Sequence, residues 1–419
     1  MKVATILALC ATAAAWPSVA AEDTSPTPPF LATTLRETVD VFDNARGGIS
    51  TGSVALNKFQ LAATVNGAAF GADGLQLHGQ IFATNGPQLS GRVGDLQTVS
   101  NIEAPRTVRL FEAWAQQSFG NDGAGGGAVR IGLLDLNADF DSIGTAGFMV
   151  NSSHGIGPDV SRSGLAGPSI FPVSALGLQA DWTPSDKWAV HGGLFDGVAG
   201  DPAHQSSFVR IRLAGTDGVL GIGQADYQPA KDVQISFGVW HYTSHFAEID
   251  QAGQTLSGSS GAFAFVEGPL PYAGLKGWLR AGVADGRVQT VSGYFGAGLV
   301  APSPFPGRGD DNIGLAVATA QIGEASRKVF RLPGAETTFE ATYRFKVLDS
   351  IGLQPDVQYV IHPASAPSLP NALVAGLRIS VSLQHPRHVE PKSSGEPDSP
   401  PEAPAAPSTD PAPAASSDK

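Results

Sequence analysis

Alternate residues from Glu112 to Gln116 bring a carboxylate, an indole and a carboxamide onto one side of an extended segment. Glu112, Trp114 and Gln116 face one way, and Phe111, Ala113, Ala115 and Phe119 face the other. Such a trio breaks no bonds; it exchanges hydrogen bonds with hydroxyl groups and offers a flat apolar ring. Arg130, Arg210, Arg212, Glu340, Arg344 and Arg378 sit on the polar side of other alternating runs. Arg109 falls by parity on the Phe111 side and is placed at a strand end, where its head group can reach water. Two blander roles stand beside these: Trp114 in an aromatic belt at a membrane surface, and the charges in a salt-bridge net that stiffens a wall.

Patterns that would signal covalent or metal chemistry carry little weight. Asn151-Ser-Ser-His154 places serine near histidine, but a nucleophile and its base must meet in space with an orienting acid. This run reads as a loop that folds in and narrows an opening. Gly123-Ala-Gly125 with Ala128 mimics a dinucleotide loop, yet an alternating strand follows at Val129, so a hairpin tip is expected. The nine histidines lack metal-ligand spacing, His241 with His245 included. No catalytic residue, metal or cofactor is expected, and a net charge of −12 argues against nucleic acid as a partner.

The elements that must position these groups show at both ends and along the middle. Lys2, the apolar run from Val3 and the small residues to Ala21 form a secretory signal over 1–21, too short to span a bilayer. The lone Cys10 lies inside it, so the mature chain forms no disulfides. A poorly ordered lead-in (22–34) follows, and a Pro/Ala/Ser-rich tail (384–419) is expected to be disordered. Residues 35–383 remain as one domain of about 350 residues, long for one soluble core.

Within that domain the recurring signal is period two. From Glu336 to Val347 the odd positions read Thr, Phe, Ala, Tyr, Phe, Val, and the even ones Glu, Thr, Glu, Thr, Arg, Lys. Leu373, Ala375, Leu377, Ile379, Val381 and Leu383 share one face of the last run, opposite Gly376, Arg378, Ser380 and Ser382. Ser207, Val209, Ile211 and Leu213 oppose Phe208, Arg210 and Arg212. A soluble sandwich would turn the greasy faces inward; a membrane barrel turns them to lipid around a polar interior. Export without cysteines, only 15% charged residues, and the aromatics Trp182, Trp188, Trp240, Tyr242, Trp278, Tyr294 and Phe295, read as interfacial girdles, favour the barrel. A basic side chain facing mid-membrane lipid costs roughly 2–4 kcal/mol. The strand near Glu340 should therefore be locked in register, its charges inside.

Several runs resemble the carbohydrate-selective (OprB-like) porin family. They include Phe111-Glu-Ala-Trp-Ala-Gln-Gln-Ser-Phe, Arg130-Ile-Gly-Leu-Leu-Asp-Leu-Asn-Ala-Asp-Phe-Asp, Asn151-Ser-Ser-His-Gly-Ile-Gly-Pro-Asp and Phe195-Asp-Gly-Val-Ala-Gly-Asp-Pro. The closing stretches Glu336–Phe345, Leu353–Pro363 and Asn371–Arg378 fit as well. The resemblance implies an all-β, 16-stranded transmembrane antiparallel barrel with short loop helices in a Gram-negative outer membrane. It also implies passive uptake of glucose-like sugars, with lipopolysaccharide and the barrel-assembly machinery as further partners and homo-oligomers as an option. On this reading Glu112, Trp114, Gln116, Arg130, Arg210, Arg212, Glu340, Arg344 and Arg378 line the sugar path, with Arg109 as a further candidate. A lipid-modifying barrel enzyme and an exported all-β binding protein are the rivals.

Overall fold

The computed structural model of the chain describes residues 30–120, 125–272 and 274–387. The expected signal, the lead-in as far as 29, the tail from 388 and most of the 123–125 hairpin tip lie outside those residues. The first strands are β1 (Leu31–Arg46), β2 (Gly52–Asn66), β3 (Leu75–Asn85), β4 (Thr107–Phe119) and β5 (Gly126–Leu134). Next come β6 (Ala175–Ser185), β7 (Trp188–Asp196), β8 (Val219–Ala230), β9 (Val233–Ala247) and β10 (Thr255–Pro269). The last six are β11 (Lys276–Ala284), β12 (Val291–Pro302), β13 (Asn312–Ile322), β14 (Ala335–Leu348), β15 (Ile351–Ile361) and β16 (Ala372–Arg387). Each pairs antiparallel with its neighbours in sequence, and β1 closes the ring on β16, so no strand is left at a sheet edge. Two boundaries differ from expectation. Leu31–Thr34 already pair with β16, and β16 runs four residues past Leu383, because each supplies the other's ladder partner.

Alternation explains the strands. On β9, Ile235, Phe237 and Val239 are exposed while Ser236, Gly238, Trp240 and Tyr242 are buried. On β14, Phe339 is 50% exposed and its neighbour Glu340 only 3%. Exposed Leu, Ile, Val and Phe side chains around the outer face would be costly in water and suit hydrocarbon. Glu37 is an exception: its register partners Phe59 and Val381 share the outer face, and Asn57 donates to its carboxylate at 3.2 Å.

Connections divide by end. Short turns such as Asp186-Lys187 and Lys231-Asp232 share one end with both described termini; the connections 86–106, 135–174 and 197–218 share the other. The first two fold into the barrel.

The run 207–213 is a correction: it is no strand but part of the 197–218 connection. Because β5 is short, the start of β4 has no β5 partner. The connection fills that edge, with Leu110 N donating to Phe208 O at 2.7 Å and Thr107 Oγ1 to Ser206 O at 3.1 Å.

Candidate functional site: the bore and its inward loops

Polar groups on the wall strands hold the two inward loops by their backbone amides. The Glu336 carboxylate accepts from Leu96 N, Gln97 N and Ala364 N at 2.7–3.0 Å. Glu340 accepts from Val150 N at 2.6 Å and Asn151 N at 3.1 Å, and Glu267 from Gly144 N and Thr145 N at 2.9 and 2.7 Å. Arg280 on β11 forks between Asp141, at 2.6 Å, and Asp159, two carboxylates of the 135–174 loop. The loops also bond each other, Asn101 N to Val150 O at 2.9 Å and Ser152 N to Thr98 O at 2.9 Å.

Behind the longer loop the interior is dry. Leu136, Phe140, Ile143, Phe148, Met149 and Ile156 pack against Phe195, Ile222, Trp240, Tyr242, Phe263 and Trp278 from the wall. Fully burying one such side chain is worth about 1.5–3 kcal/mol. The wall makes room with small residues: Gly314, Ala316, Ala318 and Ala320 line the inner face of β13, and a Cβ on Gly314 would lie 2.7 Å from the Phe148 ring. Four aromatics expected in the girdles, Trp240, Tyr242, Trp278 and Tyr294, therefore belong to the interior. They cover the loop. Trp182, Trp188 and Phe295 do face outward.

Opposite this core the bore is wet. A cavity of about 660 Å³ lies under the loops, walled by Arg36, Lys58, Gln60, Arg344, Gln354, Arg378, Ser380 and Ser382. Its loop side presents Asn101, Asp135, Asn137, Ser152 and Phe171. Burial, with the Glu112 carboxylate adding to it, pushes the Asp135 carboxyl up to about 7. His154, fully enclosed beside Trp278, is pushed down to about 3 by desolvation and stays neutral. The Ser153 hydroxyl donates to Asn151 Oδ1 at 2.7 Å and not to the His154 ring, so the Asn151–His154 run is a constriction loop with no catalytic pairing.

A second polar band crosses β3 to β8. Trp114 points inward and its Nε1 donates to Glu112 at 3.2 Å. His78 from β3 stacks on the indole at 4.7 Å, and the Arg130 guanidinium from β5 lies 4.6 Å from its centre. β4 runs between those strands, so both ring faces are taken and none is free to stack on a passing solute. Arg130 also bonds Gln116 at 2.9 Å and Asp139 at 2.7 Å. His191 bridges Asp181 and Asp226 at 2.6 and 3.1 Å.

The expected path residues thus separate. Glu112, Gln116, Arg130 and Arg344 lie on the inner wall, and Arg344 borders the cavity. Glu340 is a buried loop anchor, and Arg378 is buried on Asp40 at 2.8 Å. Arg210 and Arg212 leave the wall altogether; they pair with Asp201 and Asp217 at the mouth, each at 2.8 Å, on the connection that patches β4. Arg109 and Phe111 both turn inward, against the parity reading. The pairing with β3 slips one residue at Phe111, so Arg109 opposes Phe82 and Glu112 opposes Gln80. Arg109 then bonds Gln205 O, and Phe111 packs on Phe82 and Phe171. Arg36, Lys58 and the anchors Glu267 and Arg280 were missed. Inward parity around Lys58 was the available signal for the first pair, and a charge facing a long connection for the second.

Known proteins give the same picture. Porin B of Pseudomonas aeruginosa is 25% identical over 346 residues, covering 70% of this chain and 74% of the relative. The high-pH structure of Pseudomonas putida OprB superposes with a TM-score of 0.75 at 20% identity, over 84% of this chain and 94% of that one. The outer-membrane channel DcaP of Acinetobacter baumannii shares the fold at a TM-score of 0.53 and 9% identity, over 84% and 96%. The model of the carbohydrate-selective porin, OprB family, matches residues 52–383. A closed barrel of sixteen strands with a wet, loop-narrowed bore, matched over that span, makes this chain a member of the OprB family of carbohydrate-selective porins.

Proposed function

We propose that this outer-membrane porin passes glucose-sized sugars by diffusion, through the cavity between the inward loops and the Arg36–Lys58–Arg344 wall. The observation that carries the reading is that cavity. Its volume of about 660 Å³ is in the range of small-molecule sites, roughly 300–1,000 Å³, and its walls mix charges, amides and hydroxyls. These groups replace water on sugar hydroxyls, and contacts of this kind stay weak enough for release. Glu112, Gln116 and Arg130 form a hydrogen-bonding track on the neighbouring wall, and Trp114 braces it from between His78 and Arg130. Long connections face the medium and short turns the periplasm, the usual arrangement of such barrels. Lipopolysaccharide around the outer rim, delivery by the barrel-assembly machinery and self-association are part of the same proposal. Liposomes carrying the purified protein should swell in glucose and much less in a trisaccharide. Failure to swell in any monosaccharide would remove the transport reading.

A further inference from the structure

Three cations of the cavity wall have no carboxylate partner among the described residues. Arg36 on β1 and Lys58 on β2 are diagonal neighbours across the β1–β2 ladder, where Arg36 pairs with Gln60 and Thr38 with Lys58. The Lys58 ammonium rests 3.8 Å from the centre of the Phe171 ring. Arg344 donates only to neutral oxygens, Gln354 Oε1 and Phe148 O, each at 3.2 Å. Three other interior arginines are neutralised, Arg130 by Asp139, Arg280 by Asp141 and Asp159, and Arg378 by Asp40, while Arg109 donates to the Gln205 carbonyl. In a chain with a net charge of −12, carboxylates are not scarce. Like charges gathered in a confined space repel one another, and an anion in the cavity relieves that repulsion.

Across the cavity the chemistry changes. Asn101, Asn137 and Ser152 line the facing side with one carboxylate, Asp135, and Gly147 and Gly155 bring backbone close to the space; the other two lining carboxylates, Asp310 and Asp349, pair with Lys346. Amide, hydroxyl and peptide groups suit sugar hydroxyls. The space therefore has one end for a negative charge and another for several hydroxyls.

We infer that the cavity is a binding step for monosaccharides that carry a carboxylate, of the aldonate or uronate type, in preference to neutral hexoses. The carboxylate lies against Arg36 and Lys58, within reach of Arg344, and the hydroxylated carbons turn toward Asn101 and Asn137. This deepens the sugar-porin reading and rests on it.

Planar-bilayer recordings at about 0.1 M salt, where exposed charges are screened beyond about 10 Å, test the idea. The probes are gluconate, glucose and acetate, each added as a blocker of the ion current. Gluconate should block at a lower concentration than glucose by roughly fivefold for each cation engaged, the worth of one wet ion pair. R36Q/K58Q should bring gluconate to the level of glucose, and R36K/K58R should keep most of the preference. Acetate should block weakly, since it lacks the hydroxyls. Equal block by gluconate and glucose in the unmodified channel would overturn the inference. So would acetate matching gluconate, which marks a plain anion filter. Glucose swelling of liposomes separates the two levels: if glucose passes without a gluconate preference, only this inference falls. If neither solute enters, the porin reading falls and takes the inference with it.

Discussion

Replacing Arg280 by methionine should open the channel without destroying the barrel. The Arg280 side chain is 2% exposed, and its Nε, Nη1 and Nη2 hold both Asp141 and Asp159, whose side chains are fully buried. Its guanidinium also lies 5.0 Å from the Tyr294 ring centre and 5.6 Å from that of Phe263. Removing one partner of a buried ion cluster leaves the others uncompensated, at a cost of about 3–5 kcal/mol. The cost falls on the docked state of the 135–174 loop, because the undocked loop gives both carboxylates water. The docking equilibrium thus shifts by on the order of 10²–10⁴-fold. Glu340 and Glu267 still hold four loop amides, and hydrogen bonds of that kind are worth about 0.5–1.5 kcal/mol each. The loop should therefore loosen around 141–159 while staying tethered at 144–151. Single-channel recording should show a larger and noisier conductance for R280M, with normal heat-modifiable migration on gels. R280K should be intermediate, having charge but no fork. D141N/D159N/R280M should recover most of the quiet state, since no net charge is left buried. A quiet R280M channel of unmodified conductance would refute the claim that this cluster holds the constriction.

G314V puts a branched side chain where Phe148 and Met149 touch the wall, and should also raise conductance; an unchanged channel would show that the loop tolerates displacement there. Asp135, held near 7, is neutral below that pH and charged above it, facing Glu112, Asp139 and Lys58. Anion preference, read as a reversal potential, should therefore decline from pH 6 to 8, and D135N should flatten the slope. His154 is neutral in the folded protein down to about 3, whereas the unfolded chain takes up a proton below about 6.5. Stability should fall as pH drops through that window. H154F, which removes two buried nitrogens that make no hydrogen bond, Nε2 lying 3.5 Å from Glu340 Oε2, should shrink the difference between gel-shift midpoints at pH 7 and pH 4.5.

How much of this was written along the chain can be read from particular residues. Period-two patterning made the barrel legible, and it gave the outward side of β14 and β16 and the inward side of Glu340, Arg344 and Arg378 correctly. It misled in two places for local reasons. The slip at Phe111 reverses parity toward the start of β4, and the alternating run 207–213 is an extended connection that patches an exposed edge.

Alternation says which side of a strand a residue occupies, because successive side chains point opposite ways wherever the strand lies. It does not say what stands opposite that side inside the tube. Leu96 meets Glu336 across 240 residues of chain, and Val150 meets Glu340 across 190. Such contacts turned expected lumen charges into buried anchors and expected girdle aromatics into a dry interior face. They also left Arg36, Lys58 and Arg344 around the remaining cavity. The strands and their polarity were therefore a property of the sequence read locally. The division of the bore into a dry half and a wet half came only from folding, because it depends on where two long loops come to rest.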